Sequence, residues 1–535
     1  MKTMINSIIL ASCLALPLAS CSDSDAAPEQ KDWSTTTYFN SSDAAAQDTY
    51  YKPAVGYVGD PMPFFDPVAG DFKVLYLQDF RPNPEGTYHP IWGVSTKDAA
   101  HYTSLGELVS CGTKKSQDAA IGTGSTIYDE ASKLYYTFYT GNKYLPTGDE
   151  SAQAVMVATS PDFKTWTKDR TFLLKGQDFG YDKNDFRDPF VFKGDDGKFH
   201  MLISTKKGGK GSLAEFVSDD LKNWTDNGVF MTMMWDRFYE CPDLFKMGDY
   251  WYLVYSEIHH AVRRVQYFKG RTLDELKACT ANDVARWPDA HEGFLDSRGL
   301  YAGKTASDGT NRYLWGWCPT RSGKDNTAVG ASPAEPEWAG NLVCYKLIQH
   351  EDGTLTLGQI DAVSEKYNLD VAVEVKESQN MTEADGTYTL AGSVEQPDAY
   401  MLIGRLGSHN KISFTVTTSN EWDKFGISMV RGSDSKKYYT MVVNPENENN
   451  RKVNFEEQGV EGKGFIDGID GYVFARPADN VYNVTIYTDN SICVMYINDV
   501  CSYTNRIYGI QKNCWSINSY NGANVKVSNL KISQY

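Results

Sequence analysis

A turn signature returns along this chain at intervals that suit four short strands. Ser95-Thr96-Lys97-Asp98 with Tyr102, Ser160-Pro161-Asp162-Phe163 with Trp166, and Ser218-Asp219-Asp220-Leu221 with Trp224 begin 65 and 58 residues apart. A repeat of that length made of strands predicts propeller blades of four strands each. Residues 51–350 would hold five such blades. Three short acidic motifs lie in the same stretch: Gly59-Asp60-Pro61, Phe186-Arg187-Asp188-Pro189 and Tyr239-Glu240-Cys241-Pro242. Each is followed within a dozen residues by a β-like run, Phe72 to Leu77, Phe199 to Ser204 and Tyr250 to Ser256.

Trp338-Ala339-Gly340 begins what reads as the closing strand, and Glu351-Asp352-Gly353 as a hairpin-like turn. Residues 351–371 are expected to be a linker. From 372 to 535 apolar and polar residues alternate, as in Ile412-Ser413-Phe414-Thr415-Val416 and Val484-Thr485-Ile486-Tyr487, between Asn, Asp and Gly turns. That pattern predicts a β-sandwich. Helix signals are sparse, the best being Thr272 to Cys279. The fold expected is therefore all-β, a five-bladed propeller followed by a sandwich.

Lys2 precedes an apolar stretch from Ile5 to Leu18, which is too short to span a bilayer as a mature helix and reads as a signal peptide over 1–20. The ending Leu18-Ala19-Ser20-Cys21 resembles a bacterial lipobox, in which the cysteine carries the lipid. The Ser22-Asp23-Ser24-Asp25 that follows resembles a surface-export tag. Residues 21–50, rich in Ser, Asp, Ala and Thr, would then be a flexible tether, and the protein an exported outer-membrane lipoprotein at the cell surface. Of the ten cysteines, eight lie scattered between Cys111 and Cys514, without a CxxC pair or a histidine cluster. No metal and no cofactor are expected. Cys493 and Cys501 could face each other across a hairpin, or both be small buried hydrophobes. The net charge of −17 excludes a basic nucleic-acid surface. Aromatic residues make up 13% of the chain, enough for a β-rich core and for sugar-stacking platforms alike.

Three carboxylates presented from separate strands are what cleavage of a glycosidic bond needs. The motifs and their flanks resemble glycoside hydrolase family 32, the fructan hydrolases and invertases, over nearly all of 51–535. The resemblance rests on Arg187-Asp188-Pro189, Glu240-Cys241, Gly122-Thr123-Gly124-Ser125, Leu295 to Ala302, Arg312 to Trp317, and the run from Thr488 to Tyr508. The family pairs a five-bladed propeller with a C-terminal sandwich. It implies Asp60 as nucleophile, Asp188 as transition-state stabiliser and Glu240 as acid/base. A retaining route sets nucleophile and acid about 5–5.5 Å apart. The substrate-binding candidates are Gln78, Trp92, Ser125, Arg187, Asp296, Tyr301 and Trp338. For the aromatic residues a core role is an equal reading, and for Ser125 a turn role comes first. Asp129, Asp162 and Asp220 read as strand-turn residues. The first motif departs from the family's Trp-x-Asn-Asp-Pro-Asn-Gly: Gly59 stands where an Asn helps hold the sugar, and Met62 follows Pro61.

The expected activity is retaining hydrolysis of β-fructofuranosidic bonds in fructans or sucrose-type sugars, with an oligo- or polysaccharide as the partner. Another furanosidase or pyranosidase on the related family 43 propeller, or a surface lipoprotein that only binds glycan, are the alternatives.

Overall fold

The computed structural model describes residues 49–80, 89–233, 238–257, 264–279, 293–297, 299–321, 336–430, 438–445, 452–458, 472–474 and 476–535. The signal peptide, Cys21 and nearly all of the tether lie outside the described residues.

Four-stranded antiparallel meanders account for the repeat. Tyr57–Asp66, Asp71–Asp79, Ile91–Thr96 and Thr103–Val109 form the first. Ala120–Asp129, Leu134–Asn142, Gln153–Ser160 and Thr167–Leu174 form the second, and Phe186–Lys193, Phe199–Lys207, Lys210–Ser218 and Thr225–Thr232 the third. Glu240–Met247, Tyr250–Glu257 and Arg264–Gly270 make a three-stranded sheet. Tyr301–Ser307, Arg312–Arg321 and Pro336–Gln349 come last and pair with the first meander where Gly340 meets Val58. The first strand of each group packs against the first strand of the next, and Tyr301–Ser307 returns to Tyr57–Asp66. A closed ring of inner strands with meanders running outward is a β-propeller.

The recurrent signature sits at one place in each of the first three meanders, the turn after the third strand. Its register there is Thr96, Ser160 and Ser218, so the first copy begins one residue later than the Ser95 read from the sequence. Asp162 accepts from Ser160 at 3.1 Å and Asp220 from Ser218 at 3.1 Å, and the next residues, Ala99, Phe163 and Leu221, have φ of 57°, 60° and 63°. The Asp fixes the turn by accepting backbone N–H groups two and three residues on, as at Lys164 and Thr165. Asp129 does the same for Ala131 and Ser132.

The sandwich has one sheet built around Asn524–Gln534, His409–Thr418, Val481–Asp489, Ile492–Ile497 and Cys501–Arg506, and another around Ala399–Ile403, Trp515–Tyr520, Lys424–Val430 and Tyr438–Asn444. Alternate residues of His409–Thr418 are buried, as a sheet with one covered face requires. Ile412, Phe414, Val484, Ile486, Ile427 and Ile517 meet in its core.

One expectation is corrected, and of the two readings for Cys493 and Cys501 that of small buried hydrophobes holds. The stretch 351–371 is structured: Leu355–Gly358 pairs with Pro336–Gln349 of the propeller, Asp361–Lys366 is helical, and Leu369–Val371 pairs with Asn524–Gln534 of the sandwich. Cys493 lies opposite Asn505 and Cys501 opposite Ile497, so the two thiols do not face each other, and both are buried and free. The short helix Leu273–Ala278 is where the sequence put it, and Thr272 caps it by accepting from Glu275 N at 3.1 Å.

Candidate active site

The three acidic motifs share a local geometry that their prolines impose. Pro61, Pro189 and Pro242 have no N–H to give a neighbouring strand, so the ladder breaks there. Register shifts occur between Gly59 and Met62, opposite Pro189 between Leu202 and Ser204, and between Glu240 and Asp243. The residue before each proline is left-handed: Asp60 at φ 26°, Asp188 at 57° and Cys241 at 53°. Such backbone costs on the order of 1 kcal/mol per residue or more, and bulges of this kind re-aim side chains beside active sites. Here they turn carboxylates at one end of the inner strands.

Asp60 accepts the indole N–H of Trp317 at 3.0 Å. Asp188 accepts the backbone N–H of Cys241 at 2.9 Å and gives its own N–H to Thr140 at 2.9 Å. Glu240 is held from two sides. Arg187 Nη2 lies 3.0 Å from Oε1, and the Tyr301 hydroxyl donates to Oε2. Arg187 is itself fixed by Asp185 at 2.7 Å, by Gln153 at 3.3 Å, and by the Phe238 ring 3.9 Å beneath its guanidinium. The carboxylates feel each other. Burial first, and then the Asp188 charge, push the Asp60 carboxyl up to about 7; Glu240 adds to the rise, while the Trp317 hydrogen bond and Lys304 oppose it. Asp188 is also raised by burial, against the pull of Arg187 and Lys304. Thus Asp60, Asp188, Glu240, Arg187 and Tyr301 come together as one constellation.

Other candidates stand elsewhere. Asp296 is fully buried at the seam with the sandwich, where it accepts from Ser297 N, Ser502 Oγ, Thr504 N and Thr504 Oγ1 at 2.6–2.9 Å. A carboxylate so occupied is structural. Ser125 joins two inner strands, donating to Pro189 O at 2.9 Å and accepting from Val191 N at 2.8 Å. Gln78 is fully buried and holds Val55 O at 2.7 Å. Trp92 packs edge-on against Phe80 with ring centroids 5.8 Å apart. The hydrogen bonds and the ring contact of these four run to groups other than the three carboxylates. Trp338 does approach them, with its ring 6.4 Å from that of Trp317.

Two contributors were not singled out from the sequence. Trp317 ended a strand read only as a flank. Lys304 lies 2% exposed on the inner strand Tyr301–Ser307, and its Nζ donates to Gly124 O at 2.6 Å. A lysine within the run Tyr301-Ala302-Gly303-Lys304-Thr305-Ala306 was the available signal: a cation at a strand position with small and apolar neighbours. No cluster of His, Cys, Asp and Glu fit to hold a metal occurs among the described residues.

Comparison with known proteins places residues 50–532. The model of the glycosyl hydrolases family 32 N-terminal domain matches residues 50–359, and that of the family 32, BT1760-like, C-terminal domain matches 353–532. The chain belongs to glycoside hydrolase family 32. A β-fructofuranosidase, insoluble isoenzyme, of Arabidopsis thaliana is 26% identical over 54% of this chain and 51% of its own length. A sucrose-6-phosphate hydrolase of Vibrio alginolyticus is 27% identical over 39% and 41%. The chain spans about half the length or less of these curated relatives. Among solved structures, an exo-inulinase from Aspergillus awamori aligns with TM-score 0.67 at 15% identity over 91% of this chain and 97% of the other. The family 32 β-fructofuranosidase of Bombyx mori aligns at 0.64 and 17% over 92% and 95%. At such identities the likeness is one of fold, and it is the propeller joined to a sandwich.

Proposed function

We propose that this protein is a retaining glycoside hydrolase that cleaves β-fructofuranosidic bonds in fructans or sucrose-type sugars. The observation that carries the proposal is the convergence of Asp60, Asp188 and Glu240 from three inner strands at one end of the propeller, each held by its own hydrogen-bond donors. Asp60 receives one indole N–H, whereas Glu240 sits between a guanidinium and a phenol. Similarity to proteins named as fructofuranosidases and fructan exohydrolases supports the fructosyl unit as the sugar attacked.

In this mechanism ionised Asp60 attacks the anomeric carbon as the bond to the leaving oxygen breaks. Glu240 gives its proton to that oxygen, and the product is a fructosyl ester of Asp60. Glu240, now a carboxylate, takes a proton from water, whose oxygen attacks the same carbon and frees Asp60. Arg187 and Tyr301 keep Glu240 aimed through both steps. Asp188, its Oδ2 fixed by Cys241 N, holds sugar hydroxyls whose hydrogen bonds strengthen in the oxocarbenium-like transition state.

The test is product analysis with purified protein on sucrose, inulin and levan, following the anomeric configuration of the first product. Release of fructose with retention supports the proposal. Inverted product, or tight glycan binding without turnover, overturns it in favour of another hydrolase type or a binding protein.

We further propose export and anchoring through lipid on Cys21, supported by Leu18-Ala19-Ser20-Cys21 and the Ser- and Asp-rich stretch after it. Cys21→Ala should move the protein from the membrane fraction to the soluble one. Unchanged membrane association in that variant would end this reading.

A further inference from the structure

The turn signature occurs three times, and in two copies its aromatic residue closes back on its own turn. Tyr102 donates its hydroxyl to Ala99 O at 2.9 Å, and Trp224 its indole N–H to Leu221 O at 3.2 Å. Trp166 holds the same place in the second meander without such a bond. Its indole N–H is buried and has no hydrogen-bond partner among the described residues. A buried donor left open is rare in proteins, and it marks a place where water or a ligand oxygen is expected.

Trp166 also lines a cavity of about 520 Å³ between the outer strands of the first two meanders, Thr103–Val109 and Thr167–Leu174. Phe172 adds a second aromatic ring to the lining. The polar part is an ion pair: Lys168 gives an N–H to buried Asp118, which also accepts from the Tyr139 hydroxyl at 3.3 Å. An ammonium carries three N–H groups, so two remain for a guest. Gly112 leaves the room these groups need, since a β-carbon there would lie 2.2 Å from Asp118 Oδ1 and from Ser116 Oγ. The Cys111 thiol, pushed up to about 12 by burial, stays protonated and brings no nucleophile to the cavity.

This lining discriminates among guests. An apolar guest would desolvate the ion pair and offer it no hydrogen bonds. A phosphate would meet the Asp118 carboxylate. A sugar suits both parts, with its C–H face on the rings and its neighbouring hydroxyls on a carboxylate and an ammonium. The volume falls within the range of pockets that hold small molecules. The cavity is also joined to the catalytic end. Residues 110–119 lead into the inner strand Ala120–Asp129, and Asp60, Asp188 and Glu240 lie near the starts of theirs. Gln117, in the cavity lining, donates to Gly141 O at 3.1 Å, and the adjacent Thr140 accepts the N–H of Asp188 at 2.9 Å.

We propose that the cavity between the first two meanders is a second, non-catalytic glycan site, which holds a short segment of the fructan chain while another part of that chain is cut at Asp60. The identity of the chain rests on the fructosidase reading above; the site itself rests on Trp166, Lys168 and Asp118.

The experiment uses the full-length protein and two variants, each first checked by thermal melting. Lys168→Met removes the free donors. Thr113→Trp, at an exposed position of the lining, fills the mouth and covers the case in which Lys168→Met does not fold. Both should raise KM for long levan or inulin roughly three- to tenfold, the loss of a second foothold on one chain, and leave kcat/KM on sucrose within about twofold. Native gels cast with levan or inulin, run in an Asp60→Asn background so that the glycan stays whole, should retard the parent more than either cavity variant. Equal retardation with an unchanged KM for the polymers would overturn the proposal. An equal loss on sucrose and on polymers would overturn it too, because the cavity would then serve only the shape of the active site. If the wild type hydrolyses no fructoside, the functional proposal fails by itself. Gels with levan, inulin, arabinan and xylan then still decide the site. Retardation by one of them that the cavity variants lose upholds it with a different chain, and retardation by none ends it.

Discussion

The indole of Trp317 and the carboxylate of Asp60, 257 positions apart in sequence, are joined by one hydrogen bond of 3.0 Å. The same indole meets the ring of Tyr301 edge-on, centroids 5.4 Å apart, and Tyr301 donates to Glu240. One buried tryptophan therefore links the two groups on which the proposed double displacement depends. Its neighbour across the ring of inner strands, Lys304, supplies charge in place of shape.

Asp60 makes activity and stability respond to pH in opposite senses. Its carboxyl is pushed up to about 7 by burial and by Asp188, far above the ordinary value of 3.8. Only the ionised form attacks, so kcat/KM should fall as pH drops through about 7. The folded state meanwhile resists ionisation that the unfolded chain accepts. Stability attributable to this group is full below about pH 4 and is lost as pH rises towards 7. Asp60→Asn should abolish turnover, yet melt higher than wild type at pH 8 and at about the same temperature at pH 4. Melting curves at the two pH values check this, and equal shifts at both would contradict it.

Lys304 should tune that titration. Its ammonium opposes the upward shift of both Asp60 and Asp188. Lys304→Gln keeps a donor for Gly124 O but removes the charge. The acidic limb of the kcat/KM profile should then move to higher pH, with the plateau at high pH less affected. A profile displaced only in height would show that Lys304 serves packing alone.

Glu240→Gln should lower turnover of natural glycosides by roughly 10²–10⁴-fold. Substrates whose leaving group needs no proton should lose less in the first step. Tyr301→Phe removes one of the two donors that aim Glu240 and should reduce kcat more than it raises KM. Rates with an aryl and a sugar leaving group, compared within each variant, separate proton donation from orientation.

The three acidic motifs and the β architecture were legible in the sequence because both rest on local signals. An Asp two residues after Ser or Thr closes a turn wherever it stands, and a proline breaks a ladder wherever a bulge is needed. Those features are written within four residues. Asp296 was misjudged because its partners, Ser502 and Thr504, lie more than 200 positions away and became neighbours only through the packing of two domains. Ser125 failed likewise, its partners being Pro189 and Val191 on the next inner strand. Lys304 and Trp317 were missed for the converse reason: nothing beside them in the chain is acidic. The linker reading of 351–371 passed over a short periodic signal, Leu355 and Leu357 alternating and Ile360, Val363 and Tyr367 at helical spacing, whose side chains are buried against the strands the stretch joins on both sides.

The domain seam supplies the last prediction. Arg506, fully buried, donates to Pro319 O at 3.1 Å, Cys318 O at 2.8 Å, Asn341 Oδ1 at 2.7 Å and Ser491 Oγ at 2.8 Å. Asp296 answers from the propeller side with its bonds to Ser502 and Thr504. Cys318 follows Trp317 directly, so Arg506 also anchors the strand that holds the donor to Asp60. Removing one member of a buried charged network leaves its partners unsatisfied and costs on the order of 3–5 kcal/mol. Arg506→Met should therefore lower the melting temperature by several degrees. It should also reduce kcat, because the Trp317 strand loses an anchor. Asp296→Asn keeps one carbonyl acceptor and should destabilise less, with KM for sugar unchanged in the protein that remains folded. A raised KM in Asp296→Asn without loss of stability would return that residue to the substrate and remove it from the seam.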